Sequence, residues 1–129
     1  MEIVVEGKGK VEYKPEIIKI RITFDYTEKT YDKALEIGTD SFENFVKNVL
    51  PKLNLKKEDL KTNKFSIEHR IDEDYRTNKK IDEGYNFKQE ANLKLDYSNE
   101  NINIFMTEIL KLNKIPEYNI TFDIKDREN

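Results

Sequence analysis

The chain has no cysteine, and it has only one histidine, three prolines and four glycines among its 129 residues. Without cysteine it can form neither a disulfide nor a thiolate nucleophile. It also lacks a basic stripe, since 23 Lys and Arg residues are interspersed with 26 Asp and Glu residues for a formal net charge of −3. We therefore predict that duplex nucleic acid is not a partner.

The sequence contains no apolar run long enough to predict a membrane span. Residues 1–6 show no basic region followed by a long apolar stretch, so no secretion signal is visible and the chain as given is predicted to be cytoplasmic. Its length predicts a single domain over residues 1–129, large enough to bury a hydrophobic core without disulfides or bound metal.

Two long alternating runs dominate the centre of the chain and fold back on each other near residues 78–80. Apolar residues share one parity on each run and polar residues the other, which is typical of strands buried on one face. The apolar parity comprises Phe65, Ile67, His69 and Ile71 on the first run and Tyr85, Phe87, Gln89, Ala91, Leu93, Leu95 and Tyr97 on the second. Cross-strand charge favours a register that sets Arg70 against Glu90 and Asp72 against Lys88.

Three further strands are predicted from the same period of two. Residues 3–13 and 18–26 are predicted to form an antiparallel hairpin that turns at Pro15, because proline cannot donate to a sheet ladder. Residues 118–124 alternate in the same way and form the last strand.

Two helices are predicted where the apolar period becomes three to four residues. The first begins after Thr30, which can cap it, and ends or kinks near Pro51. Gly38 lies on its apolar stripe, where a missing side chain allows the helix to lie close to a sheet. Ser98 caps the second helix. The order ββαββαβ predicts an α+β fold: a five-stranded, mainly antiparallel sheet with both helices on one face.

His69 and Gln89 are the candidate site residues. In the predicted register Gln89 is the diagonal neighbour of His69, and the two would form a polar pocket that binds a small ligand. The alternative is a hydrogen-bonded polar pair in the core, or a histidine that reaches water near the hairpin tip. Catalysis would need a second group placed to act with His69, and the sequence identifies none.

Two other patterns are better explained by a structural role than by a binding site. Five acidic residues flank the hairpin loop, but their spacing is not that of a calcium loop and basic residues intervene, so we predict a solvated loop and no metal site. These residues are Asp72, Glu73, Asp74, Asp82 and Glu83. Gly7-Lys8-Gly9 lacks the third glycine and the following helix of a dinucleotide site, which favours a strand irregularity. We predict no cofactor and no enzymatic activity.

The chain resembles the SIMPL-domain family of bacterial proteins, which includes periplasmic immunogenic proteins. The matching segments are Gly7-Lys8-Gly9-Lys10-Val11 with Lys14-Pro15-Glu16, then Glu58-Asp59-Leu60 leading to Phe65-Ser66-Ile67, and Gly84-Tyr85 at the return strand. They occur in the family's order across nearly the whole chain. The resemblance implies an α+β module that forms oligomers, in some members rings or channels, with a poorly defined link to stress. It also implies that the protein is located in the periplasm or cell envelope.

Two hypotheses for function remain open. The first is a non-catalytic oligomerisation or binding module, which forms a homo-oligomer through a sheet edge or a helix face or binds another protein. The second is a small-ligand-binding protein with a polar pocket near His69 and Gln89.

Overall fold

The computed structural model describes residues 3–7 and 9–124, with side chains described from Lys14 to Ile124. Within those ranges the chain forms seven strands and two α-helices. They are β1 (Ile3–Gly7), β2 (Gly9–Tyr13), β3 (Ile17–Glu28), α1 (Tyr31–Asn48), β4 (Lys61–Thr62), β5 (Ser66–Asp74), β6 (Lys79–Asp96), α2 (Asn99–Ile109) and β7 (Glu117–Asp123). Two short 3-10 turns, Leu50–Leu53 and Lys57–Asp59, join α1 to β4.

Five of the strands form one antiparallel sheet. β3 lies between β6 and β7, and the 18-residue β6 pairs along its other side first with β5 and then with β4. β3 takes this central place because its apolar residues face apolar residues on both neighbours; Ile20, for example, faces Leu93 and Ile120. The predicted α+β fold, with a five-stranded antiparallel sheet and two helices, is confirmed.

The N-terminal hairpin differs from the prediction. Residues 3–13 were expected to form one strand paired with β3, but β1 and β2 pair with each other in a separate two-stranded sheet, with Gly7 opposite Gly9. The reason is that β6 and β7 already occupy the two sides of β3. The side chains expected on one face of that first strand, and Lys8 itself, lie outside the described residues.

α1 packs closely on the sheet at Gly38, a residue without a side chain. Thr30 caps the helix by accepting a hydrogen bond from the Lys33 N–H at 3.2 Å, as predicted. A Cβ atom at Gly38 would overlap the ring of Phe87, so glycine permits the close approach of α1 to β6. Phe45 makes an edge-to-face contact with Phe24 of β3, with ring centroids 5.8 Å apart.

α2 packs on the same face of the sheet. Ser98 caps it by accepting from the Asn101 N–H at 2.9 Å, and Phe105 contacts Tyr118 of β7 edge-to-face. The core between helices and sheet includes four fully buried phenylalanines, Phe24, Phe45, Phe87 and Phe105. Each such side chain contributes about 1.5–3 kcal/mol by leaving water. Neither helix in the described ranges is long and apolar enough to cross a membrane.

Candidate functional site

The candidate site lies on the β5–β6 arm, which we define as residues 66–84. Its tip is a tight turn in which the N–H groups of Thr77 and Asn78 donate to the Asp74 carbonyl at 3.2 and 2.8 Å. Asn78 has φ 54°, a left-handed conformation that asparagine tolerates better than most residues. This turn brings Asp74 opposite Lys79 and Glu73 opposite Lys80.

A β-bulge then shifts the pairing along the arm. Arg70 lies opposite Gly84, but the next pair is Ile71 with Asp82, so Glu83 is the extra residue. Gly84 has φ 87°, and a Cβ there would also overlap the Glu28 carbonyl oxygen, so both the conformation and the space require glycine.

The register predicted from charge is therefore wrong. Arg70 does not face Glu90, and Asp72 faces Ile81 where Lys88 was expected. The tight turn and the bulge determine the pairing through covalent connection and backbone conformation. Cross-strand charge pairs, worth about 0.2–1 kcal/mol each, are too weak to override them.

His69 contacts an acid and an aromatic ring. Its Nε2 lies 3.0 Å from Asp82 Oδ1, and because a carboxylate only accepts, Nε2 carries the proton. Its ring stacks on Tyr85 with centroids 4.3 Å apart, and Tyr85 in turn contacts Tyr31 at the start of α1. These contacts orient the imidazole while leaving it exposed to solvent.

Asp82 is held in its charged form. The backbone N–H of Gly84, which donates to Asp82 Oδ1 at 2.8 Å, lowers the pKa of this carboxyl below its ordinary value, and the hydrogen bond from His69 lowers it further. The same oxygen therefore joins the bulge glycine to the histidine. Within the described part of the chain, no hydroxyl group is hydrogen-bonded to His69 to act as a nucleophile.

Gln89 does not meet His69. Gln89 donates from Nε2 to the carbonyl of Asn63 at 3.2 Å, and it lies four residues beyond Tyr85, the residue that faces His69. At about 3.3 Å per residue this places the two about 13 Å apart along the strand. The diagonal contact is absent because it depended on the wrong register, so the two residues do not form a common pocket. A separate ligand-binding role for either residue stays a prediction.

Asn86 is a buried polar residue on the face predicted to be wet. Its Nδ2 donates to Asp25 Oδ1 at 2.6 Å and to Thr27 Oγ1 at 3.1 Å, and its Oδ1 accepts from Arg70 Nη2 at 3.0 Å. This network connects β5, β6 and β3. Alternation alone could not identify it, because Asn86 has the parity of its exposed neighbours and is nevertheless 3% exposed.

The inward row of β5 is largely uncovered, contrary to prediction. Ile71 is 54% exposed and Phe65 44% exposed, although one face of Phe65 stacks on the buried Phe87. His69 lies on the predicted face, because it is opposite Tyr85 and stacks on its ring, and the bulge then places Asp82 opposite Ile71. The cover is incomplete, since α1 lies mainly over β3 and β6 and reaches only part of β5, where Ile67 is partly buried against the core.

The outer edge of β5 is also free of a neighbouring strand. Among the described residues β5 pairs only with β6, so alternate N–H and C=O groups along its nine residues point away from the sheet. A strand edge and an exposed isoleucine, Ile71, thus occur on the same element, and the exposed Phe65 lies just before it. This combination can bind an extended strand through backbone hydrogen bonds and side-chain contacts.

Two clefts lie on the sheet and beside the arm. One, of about 400 Å³, lies on the helix-free face and is lined by basic and polar side chains, among them Lys19, Arg21 and Lys61. Lys19 already pairs with Asp123 at 3.2 Å, which fits a solvated sheet face. The other, of about 580 Å³, lies beside the arm and includes Asp82 in its lining.

Comparison with known proteins identifies the fold family. The family model described as "SIMPL: Protein of unknown function (DUF541)" matches residues 3–129. No curated protein matches the chain. The family match covers the sheet, both helices and the arm, and its description assigns no activity to any of them.

Proposed function

The chain belongs to the SIMPL family of proteins of unknown function, and we propose that it is a non-catalytic module that assembles with itself through the free edge of β5. The observation that carries the proposal is the coincidence, on one strand, of unpaired backbone groups and an exposed isoleucine, Ile71, with the exposed Phe65 just before the strand. Either feature alone is common on protein surfaces, whereas both together describe a strand that can accept a neighbour.

The energetics favour pairing at this edge. Exposed edges that do not pair are usually blunted by charged side chains, above all lysine, by proline, by a bulge or by a short strand. β5 has nine residues and contains neither proline nor lysine, but five of its residues are charged, which favours pairing only in a register that sets opposite charges together. Covering an isoleucine such as Ile71 contributes about 1.5–3 kcal/mol when burial is complete. Each added strand hydrogen bond contributes about 0.5–1.5 kcal/mol net, and the facing side chains select the register.

The alternative surface for assembly is on the helical side. Leu110, just after α2, is 59% exposed, close to the value for Ile71. It lies in a turn beyond the helix and has no strand edge beside it. Leu110 is therefore the matched control for Ile71: both are exposed apolar residues, and only Ile71 lies on the edge.

The test is to measure self-association of three proteins by sedimentation equilibrium over a wide concentration range. The unsubstituted chain is expected to associate, Ile71→Lys to associate at least tenfold more weakly, and Leu110→Lys to match the unsubstituted chain. A tenfold change corresponds to about 1.4 kcal/mol, less than the burial of one isoleucine. A strict monomer at high concentration would overturn the proposal, and loss of association only in Leu110→Lys would move it to the helical side.

Ligand binding at the arm is the second candidate, supported by the cleft of about 580 Å³ beside Asp82 and its His69 partner. A thermal-shift screen of small polar ligands would test it. A hit is expected to lose its effect in His69→Ala and to keep it in Gln89→Ala, because Gln89 lies away from the cleft. Hits that are equally strong in both variants would exclude His69 as a ligand-binding residue.

A further inference from the structure

Resting on the proposed function, we propose that two copies pair through antiparallel β5 strands around a two-fold axis at His69. The partner is a second copy of this chain, and the register is specific. In such a pair the two five-stranded sheets become one continuous sheet, with the helices of both copies on the same side.

The symmetry restricts the possible registers. A two-fold axis perpendicular to an antiparallel strand pair passes between two directly opposed residues, so one residue must face its own copy. Residues equally spaced on either side of it then face each other. Side chains directly opposite share a face, so inward residues meet inward residues.

With His69 at the axis the side chains are complementary. Arg70 faces Glu68 of the second copy, and symmetry repeats this ion pair. Ile67, which is partly buried, faces the exposed Ile71 of the second copy on the inward face, and symmetry repeats this contact. Opposite charges and apolar pairs directly across a strand pair are favourable, and no like charges face each other among these contacts.

The neighbouring registers all place like charges together. Shifting the axis one residue toward the N-terminus makes Glu68 face itself. Shifting it one residue toward the C-terminus makes Arg70 face itself and sets Glu68 against Asp72. A shift of two residues toward the C-terminus sets Arg70 against Asp72, but it also sets Glu68 against Asp74. A shift of two toward the N-terminus sets Arg70 against Lys64, which lies just before β5. The axis at His69 is thus preferred on charge alone.

Charge can decide this register although it did not decide the one inside the arm. Within the arm a covalent turn and a bulge determine which residues meet. Two separate chains have no such connection, so side-chain complementarity is the main term left to distinguish registers that form equal numbers of backbone hydrogen bonds.

Both partners of the ion pair are available. Arg70 is held by one hydrogen bond from Nη2 to Asn86, which leaves the other guanidinium N–H groups free to donate and reduces the entropy lost on pairing. The side chain of Glu68 is exposed and makes no ion pair or hydrogen bond with any side chain from Lys14 to Ile124.

The absence of cysteine in the chain allows a direct test by disulfide trapping. Ile67→Cys and Ile71→Cys are prepared as separate chains of different mass, mixed and equilibrated in a glutathione buffer. Facing residues have Cα atoms about 4.5–5.5 Å apart, within disulfide range, whereas two copies of residue 67 would lie more than about 7 Å apart. The mixed disulfide is expected to exceed either self-disulfide at least fivefold by mass spectrometry.

A charge exchange provides an independent readout that needs no crosslink. Glu68→Arg and Arg70→Glu are each expected to weaken association about tenfold, because each sets like charges opposite each other twice. The double variant, with both substitutions, restores opposite charges and is expected to return to within threefold of the unsubstituted chain. Thermal unfolding of each variant separates a lost interface from a damaged monomer.

The outcomes distinguish the two proposals. A dimer that forms self-disulfides at residue 67 or 71, or that is not rescued by the charge exchange, overturns the register and leaves assembly through β5 intact. A chain that stays monomeric overturns both. Mixed disulfides together with rescue support both.

Discussion

The helix-covered part of the sheet and the β5–β6 arm have the same alternating sequence pattern and different environments. Ile18, Ile22 and Phe24 on β3 are fully buried under α1 and α2, whereas Ile71 on the equivalent face of β5 is more than half exposed. Alternation therefore indicates which face a side chain takes, but another layer of structure must decide whether that face is covered. In this chain the uncovered stretch is the part of the sheet at which we propose that a second copy binds.

The largest expected effect is the loss of a large core side chain. Phe24→Ala should lower the free energy of unfolding by about 3–5 kcal/mol, because Phe24 is fully buried against Phe42 and Phe45. Ile71→Ala should change it by less than about 0.5 kcal/mol when measured on the monomer. Urea unfolding at low protein concentration checks both values, and equal losses would contradict the contrast between the two regions.

Gly38→Ala tests how closely α1 approaches the sheet. Alanine favours a helix by about 1 kcal/mol over glycine, but here its Cβ would overlap the ring of Phe87. We expect a net destabilisation of about 1–3 kcal/mol from overpacking. The control is the same substitution in a Phe87→Leu background. The aromatic ring is absent there, so Gly38→Ala should be less destabilising than in the unsubstituted chain. A stabilised single variant would show that the helix can move away at little cost.

Asn86→Ala tests the polar network that joins the arm to the covered sheet. The substitution leaves Asp25 and Arg70 without a shared partner and should cost about 1–3 kcal/mol. Asn92→Ala, on the same face of β6, is the control and should be within about 0.5 kcal/mol, because Asn92 lies on the open face of the sheet. Equal effects would mean that the network adds no stability.

Asp82→Asn should have the smallest effect and a characteristic pH dependence. The pKa of Asp82 is lowered in the folded chain, so its charged form adds stability above the ordinary carboxyl pKa, and this is lost as pH falls through the folded value. The stability difference between Asp82→Asn and the unsubstituted chain should therefore be largest near neutral pH. It should disappear in strong acid. Thermal unfolding across pH measures it, and a difference that grew on acidification would contradict the assignment.

Much of the fold was predictable because it depends on local chemistry. Thr30 and Ser98 cap their helices as their positions suggested, and Gly38 lies at the closest approach of α1 to the sheet. The candidate site was less predictable. His69 was singled out, but its actual partners, Asp82 and Tyr85, depend on a bulge whose place was not recognised. The glycine at residue 84, in the middle of a strand pattern, was the available signal.

The spacing of apolar and polar residues by itself determined the two helices and most strands of the five-stranded sheet, since these follow from backbone periods of 3.6 and two residues. It did not reveal that residues 3–13 form a hairpin of their own. Tertiary structure decided the register of the arm, the burial of Asn86 and the exposure of β5. These three features depend on the backbone conformations of the turn and the bulge and on which strands the helices cover. Residue type and spacing alone do not specify these quantities, because several arrangements with the same pattern bury similar apolar area.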